Sequence, residues 1–458
     1  MPNGLLLDMS VLEILRTQKI AIVGAGVTGM ALCTFLNRRE IEAEVFDEKI
    51  VGYSTSVNSQ YDLVIVSPGW KIDHPIIQEL SQNCAEMISE IDFAWRIKED
   101  IAPEQRWVAL TGTNGKTTTV NMVQSIFDAA SLHAKACGNV GEPVIAMLDR
   151  GSEYDILAIE LSSFQLQWSS LPRFVACAIL NIAPDHIDWH GSFEEYGAAK
   201  IKLLEFSDRA IINAQDSQLI LLSTAWSGEK VFYSLDTPRY GEIGLVENLL
   251  IDRAFTGDPT KAIEFAVIAD IQPTVPHNVS NAMAAAGLAL ALGISHENIK
   301  LGLQSFRLDH HRLERVLEHD GIDWVNDSKA TNPHAASAAI MSFLSVVWIA
   351  GGLAKGATMD SLIQRSFPRI RAAILIGEDG PLIAEAFDKH APEIPYYLIP
   401  FRESSEQLMR DVVSKARELA LSGDTVLLAP ACASMDQFKD YADRGEIFAK
   451  AVKEVVGK

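Results

Sequence analysis

Residues 108–120 read VALTGTNGKTTTV, and the reading of this stretch decides the fold class. An apolar, β-prone run ends in Thr111-Gly112-Thr113-Asn114-Gly115-Lys116-Thr117-Thr118, and a helical pattern follows at once. A strand, a glycine loop and a helix in that order hold a nucleoside triphosphate, because successive backbone N–H groups and the positive end of the helix dipole wrap the phosphates. In this reading Gly112, Thr113, Asn114, Gly115 and Thr118 form the cradle, Lys116 reaches the β- and γ-phosphates, and the Thr117 hydroxyl is a Mg²⁺ ligand. The loop departs from the strict G-x-x-x-x-G-K-[ST] form, since Leu110 stands where the first glycine would be. A Gly-Lys-Thr-Thr run at a strand-to-helix junction still outweighs a plain glycine turn.

A second glycine loop lies upstream. Residues 22–29 read IVGAGVTG, placing Gly24, Gly26 and Gly29 in G-x-G-x-x-G spacing after the apolar run 19–23. Asp47 ends the next apolar run, EAEVFD, where a dinucleotide-binding fold sets a carboxylate against a ribose hydroxyl. On those residues alone a dehydrogenase is the natural reading. The triphosphate loop in the same chain argues against it, because such glycines select for close backbone approach to any diphosphate and not for nicotinamide.

Working outward, the β-like runs KIAIV, EAEVF and DLVIV alternate with helical patterns, the signature of a parallel sheet with crossover helices. A second α/β series begins at RWVALTGT, runs through DILAIEL (155–161) and VACAILN (175–181), and continues with strand-like stretches near 231–234 and 243–255 and an alanine-rich helix over 281–292. A third holds two β-prone runs around Asp320-Gly321, a dipeptide suited to a type I′ hairpin, then a helix near Pro333 and the strands SVVWIAGG, AAILIG and TVLLAP. The expected architecture is α/β in three domains: a Rossmann-like domain over 1–104, a central P-loop ATPase-like domain over 105–307 and a Rossmann-like C-terminal domain over 308–458.

The bulk numbers agree. A chain of 458 residues exceeds one hydrophobic core, and no run approaches the ~20 uninterrupted apolar residues of a membrane span. The start of the chain, whose three-leucine patch is broken by Asp8 and Glu13, lacks the basic opening and cleavage site of a signal peptide, so the expected location is the cytoplasm. Cys33, Cys84, Cys137, Cys177 and Cys432 form no C-x-x-C pair, which disfavours a zinc ribbon or disulfide framework. A net charge of −21 repels nucleic acid and anionic membranes, so neither is an expected partner. A monomer acting on small molecules is expected.

The loop at 111–118, together with IELSSFQL (159–166), NIAPDHIDWHG (181–191), HNVSNAMAAAGLA (277–289), VNDSKATNP (325–333) and APACASMDQF (429–438), resembles the Mur ligase family, the ATP-dependent amide-forming enzymes of peptidoglycan assembly, over nearly the whole chain. The resemblance implies addition of D-glutamate to UDP-N-acetylmuramoyl-L-alanine through an acyl phosphate, with ATP and two Mg²⁺ ions. It implies that Glu160 ligates Mg²⁺, that His186 serves metal or substrate, and that Lys200 is carbamylated into a carboxylate-like metal ligand. By pattern alone Lys200 would sit on a solvated helix face. Asn278, Arg312 and Asp327 are implied for ATP. Val27, Thr28, Asp47, Ser67, Gly69, Asn139, Gln165 and His186 are implied for the UDP substrate, the first glycine loop then cradling its diphosphate. Lys329, Thr331, Lys355, Ser434 and Tyr441 are implied for D-glutamate, whose two carboxylates need a cation and polar donors. Leu353-Ala354 between Gly352 and Lys355, and Tyr441 where phenylalanine is common, depart from the family pattern. Other readings are another Mur-type ligase, though the D-N-P-R motif of the relative that adds diaminopimelate or lysine is absent here; a folate polyglutamate synthetase, against which the glycine-rich first domain speaks; and a nucleotide-gated binding protein without catalysis, against which Lys116, Glu160, His186 and Lys200 speak.

Overall fold

A computed structural model describes residues 10–401 and 403–457. The leucine patch at 5–7 lies outside the described residues. Among those described, the strands form three sheets.

The first sheet contains β1 (Ile20–Val23), β2 (Ala43–Phe46), β3 (Tyr61–Val66) and β4 (Cys84–Ser89), in the order β2-β1-β3-β4 and all parallel. All of β1 is buried, as apolar runs in a parallel sheet covered on both faces must be. The chain leaves β1 for β2 on one side and then crosses to β3 on the other. The loop after β1 therefore opens at the point where the strand order reverses, the ligand crevice of open α/β sheets. Its third glycine has a steric reason: a Cβ on Gly29 would lie 1.8 Å from the Gly24 carbonyl oxygen, so only glycine lets the helix Val27–Asn37 pack this close to the strand end.

The second sheet holds β5 (Arg106–Thr111), β6 (Ala134–Gly138), β7 (Ile156–Glu160), β8 (Ala176–Ile179), β9 (Arg209–Asn213), β10 (Glu229–Tyr233), β11 (Glu242–Val246), β12 (Leu249–Asp252) and β13 (Ile263–Val267). Its order is β13-β12-β11-β10-β9-β8-β5-β7-β6. β5 pairs in parallel with both β7 and β8, so the loop 111–118 also leaves a switch point. The strand-like stretch 243–255 divides into two antiparallel strands, β11 and β12. Glu247 at φ 56° takes the turn between them, where the polar pair Glu247-Asn248 interrupts the apolar run. The alanine-rich helix spans Pro276–Ala291, opening five residues before the expected 281 because Pro276 provides a helix-compatible start.

The third sheet comprises β14 (Glu314–His319), β15 (Ile322–Asn326), β16 (Val346–Gly351), β17 (Ile370–Ile376), β18 (Tyr396–Leu398) and β19 (Thr425–Leu428), ordered β14-β15-β19-β16-β17-β18. β14 and β15 are the hairpin expected around Asp320-Gly321, whose φ values of 54° and 73° fit the type I′ turn. Along β16 the side chains alternate: Trp348 and Ala350 enter one apolar cluster and Val347 and Ile349 the other, so helices cover both faces.

The chain divides into two compact units. One contains 1–182, 194–274 and 278–306, and so holds the first two sheets. The other contains 183–193, 275–277 and 307–458 with the third sheet. Among the described residues no helix is long and apolar enough to cross a membrane. Cys137, Cys177 and Cys432 are buried free thiols, each pushed up to about 12 by burial.

Candidate functional site

In the first unit the site grows from the end of β5. Gly115 precedes the helix Lys116–Ala129 at φ 82°, and a Cβ there would stand 2.5 Å from Asn281 Oδ1. The position is closed to any side chain twice over, by backbone conformation and by space. Asn181 braces the loop: its Oδ1 accepts from Asn114 N at 2.8 Å and its Nδ2 donates to Asn114 O at 3.0 Å. Thr113 Oγ1 meets the Tyr196 hydroxyl at 2.8 Å. Lys116 folds back over the loop, donating from Nζ to Gly112 O at 2.9 Å and Thr113 O at 3.0 Å. Thr117 and Thr118 are buried at the helix start.

Lys200 is 2% exposed, which corrects the solvated face that its helical pattern suggests. It comes from the helix Phe193–Ile201, and its Nζ donates to the same Gly112 carbonyl at 2.9 Å while lying 4.8 Å from the centre of the Tyr196 ring. Two ammonium groups thus converge on one carbonyl of the glycine loop, an arrangement that suits an anion nearby.

Glu160 closes β7 and is 1% exposed. Its Oε1 accepts from Asn139 Nδ2 at 3.0 Å, while Oε2 has no hydrogen-bond partner. A buried carboxylate oxygen without a donor is costly unless a ligand completes it. The Glu160 carboxylate and the Thr117 hydroxyl are hard oxygen donors of the kind that suit a divalent cation. Among the described residues no group of three or more His, Cys, Asp or Glu could hold a metal by itself. Most of the ion's oxygens would then come from phosphate and water.

Apart from His186, the residues implied for the UDP substrate lie in this unit and separate into two groups. Val27 is exposed at the first turn of its helix, Thr28 is half-buried beside it and Gly69 is exposed. Asp47 is buried and accepts from Ala25 N and Lys49 N, both at 2.8 Å, so it already braces the first loop. Ser67 approaches Gly24 O at 3.5 Å. Asn139 and the buried Gln165 belong to the second sheet, Asn139 at the end of β6 and Gln165 in the helix Ser163–Trp168. Asn278 is buried, and its Nδ2 donates to Pro273 O at 3.1 Å.

The second unit holds the remaining candidates. A cavity of about 370 Å³ is lined by His186, Thr331, His334, Lys355 and Arg365 among others. His186 and Lys355 both adopt left-handed backbone, at φ 52° and 51°, and such strain in non-glycine residues gathers at ligand sites. Lys329, Ser434 and Tyr441 do not line this cavity. Lys329 lies over the Tyr441 ring at 5.2 Å, and Ser434 is buried with its carbonyl accepting from Phe438 N. Asp327 accepts from Leu313 N at 3.2 Å, and desolvation pushes its carboxyl up to about 6 against the pull of that N–H and of Arg312. His277 moves the other way, down to about 4, through burial and then the charges of Arg312 and His334.

Sequence reasoning passed over four residues. His334 and Arg365 add basic character to the cavity, and a histidine after Asn-Pro or an arginine late in a helix carries no motif. Arg444, fully buried, donates to Ser328 O at 2.9 Å, Ser328 Oγ at 3.0 Å and Cys432 O at 3.2 Å, tying the stretches that bear Lys329 and Ser434. Glu90, in the first unit, is 2% exposed and touches Gln165. Only its place after Ser89 at a helix start is visible in sequence.

Comparison with known proteins agrees with this layout. Residues 110–289 match the Mur ligase middle domain, and 311–432 match the Mur ligase glutamate ligase domain. A protein of Thermobifida fusca named UDP-N-acetylmuramoylalanine–D-glutamate ligase is 43% identical over 97% of this chain and 100% of its own. One of the same name from Streptomyces coelicolor is 45% identical over 86% of this chain and 85% of its own. Among solved structures, UDP-N-acetylmuramate-alanine ligase MurC of Thermotoga maritima superposes with a TM-score of 0.58 at 17% identity, covering 95% of this chain and 99% of its own. A pseudomurein peptide ligase type C of Methanothermus fervidus gives 0.59 at 17% identity, with coverage of 96% and 99%, and both speak to the fold. On sequence and fold together, the chain belongs to the Mur ligase family.

Proposed function

We propose that the chain is the ATP-dependent ligase that joins D-glutamate to UDP-N-acetylmuramoyl-L-alanine, releasing ADP and phosphate in peptidoglycan precursor synthesis. Relatives bearing that activity in their names are 37–45% identical over most of their length. The single structural observation that carries the reading is Glu160. Its unpartnered buried oxygen belongs to the unit that also carries Lys116, Lys200 and the glycine loop, a combination that neither hydride transfer nor simple binding needs.

The chemistry follows from charge. The substrate carboxylate attacks the γ-phosphorus of ATP, ADP leaves, and the resulting acyl phosphate is open to the amine of D-glutamate, which displaces phosphate through a tetrahedral intermediate. Bound Mg²⁺, two ions in this proposal, supplies neutralisation of the phosphate oxygens and polarises the transferred group. Gly112, Thr113, Asn114, Gly115 and Thr118 present backbone donors, Lys116 balances charge on the transferred phosphoryl, and Thr117, Glu160, His186 and a carbamylated Lys200 hold metal. Asn278, Arg312 and Asp327 position the nucleotide. Lys355 and Thr331 in the cavity of the second unit, with Lys329, Ser434 and Tyr441, take the amino acid. Val27, Thr28, Asp47, Ser67, Gly69, Asn139, Gln165 and His186 take the UDP substrate. We assign these roles to three domains, 1–104, 105–307 and 308–458, in a cytoplasmic monomer whose partners are small molecules.

The test is phosphate release from Mg-ATP with UDP-N-acetylmuramoyl-L-alanine and, in parallel, D-glutamate, L-glutamate, D-aspartate, lysine or no amine. Release that requires both the UDP substrate and D-glutamate is expected. Release with a different amine overturns the amino-acid assignment, and none with any amine overturns catalysis.

A further inference from the structure

Gln165 is held at three points. Its Oε1 accepts from Ser162 N at 3.0 Å and from Ser162 Oγ at 3.1 Å, the reciprocal half of a capping box at the start of the helix Ser163–Trp168. Its Nε2 donates to Glu90 Oε1 at 2.9 Å. Glu90 arrives from a distant part of the chain, at the first position of the helix Glu90–Ile101, with Ser89 as its cap. The other Glu90 oxygen is sealed from solvent and has no hydrogen-bond partner within bonding distance among the described residues, with the Glu90 and Ile91 N–H groups the backbone donors that act on the carboxyl. A carboxyl group buried in this way is paid for by no salt bridge, so the fold keeps it for some other reason.

These contacts determine which way the Gln165 amide faces. Turned over, its NH₂ would confront the Ser162 N–H, donor against donor, and its carbonyl would confront the Glu90 oxygen. Held as observed, the carbonyl is used by Ser162 and one N–H by Glu90, which leaves the second N–H as the donor for an acceptor on a ligand. We propose that Glu90 is a positioning residue for binding of the UDP substrate, acting through Gln165 by locking its amide so that an N–H faces an oxygen of the nucleotide sugar. This rests on the assignment of Gln165 to that substrate. Burial also pushes the Glu90 carboxyl up to about 7, against the hydrogen bond from Gln165 and with a smaller push from Asp92, consistent with a group retained as an acceptor at low cost in charge.

Glu90→Met fills nearly the same volume and removes the acceptor, whereas Glu90→Gln keeps an oxygen that can face the Gln165 NH₂. Loss of one orienting hydrogen bond should raise KM for UDP-N-acetylmuramoyl-L-alanine about tenfold in Glu90→Met, with KM for ATP unchanged. Glu90→Gln should restore KM to within about threefold of the starting value by the same hydrogen-bond argument. Gln165→Met should raise the same KM, and the double variant Glu90→Met, Gln165→Met should be no worse than Gln165→Met alone, since both remove one interaction. A normal KM in Gln165→Met sinks the assignment of Gln165 itself. A raised KM in Gln165→Met with a normal one in Glu90→Met sinks only the positioning role, as does equal damage in Glu90→Met and Glu90→Gln. Should Glu90→Met fail to fold, NMR of the Gln165 side-chain amide decides: its signals, identified by their loss in Gln165→Met, should move with pH in the native protein and hold still in Glu90→Gln. Asp92, the other carboxylate acting on Glu90, is present in both proteins, so signals that respond alike in the two overturn the proposal.

Discussion

Lys116 does two jobs of different size. In the structure it closes the loop on itself through the Gly112 and Thr113 carbonyls, partly exposed bonds that contribute little to stability. In the proposed reaction the same ammonium group would turn to the transferred phosphoryl, where its charge would act on the transition state. Lys116→Ala should therefore lower UDP-substrate-dependent phosphate release at least about a hundredfold, as loss of one charge-stabilising group does, while circular dichroism and melting temperature stay near the starting values. Activity within a few-fold would remove the loop from the chemistry. The strand, glycine loop and helix were legible because they follow one another along one segment. Lys200 was not legible from pattern: a lysine on an alternating helix face looks solvated, and only the packing of that helix against the glycine loop buries it.

At the scale of elements, strands and helices followed the periodicities closely, because apolar runs bounded by glycine and proline have few alternatives in a parallel sheet. The exceptions were a turn at Glu247-Asn248 inside a long strand-like stretch and the early start of the helix at Pro276. What joins elements was hidden. Arg444 ties Ser328, after β15, to Cys432, after β19, from the helix Tyr441–Val455. Burial lowers its guanidinium to about 10, since carbonyls rather than carboxylates surround it. Arg444→Met would leave those carbonyls and the Ser328 hydroxyl without their donor. The expected cost is about 3 kcal/mol from several unsatisfied buried groups, read as a lower unfolding midpoint in urea with an unchanged slope. A midpoint within error of the parent would mean that the loops hold without the tie.

For the molecule as a whole, two buried groups bend stability against pH in opposite directions. His277 titrates at about 4 in the fold against 6.5 outside it, so its contribution is complete above 6.5 and is lost as pH falls toward 4. Glu90 titrates at about 7 against 4.5, so the fold holds its proton more tightly and that advantage disappears as pH rises from 4.5 through 7. Above pH 7 the native carboxylate carries a burial penalty of at most roughly 3 kcal/mol. Glu90→Gln has no such penalty. Its melting temperature relative to the parent should climb between pH 4.5 and 8, and a difference that stays flat or falls would contradict the assigned ionisation.

By itself the sequence determined the α/β class, the two glycine loops and the family, because each depends on residues close together in the chain whose backbone geometry or spacing leaves little choice. The tertiary structure alone decided which polar groups are buried and what completes them. Glu160 with one oxygen unpartnered, Lys200 against the glycine loop, Arg444 across two strand ends and Glu90 against Gln165 all depend on contacts between segments far apart in the chain. Desolvation and hydrogen-bond satisfaction are properties of a position in space, and no local pattern encodes them.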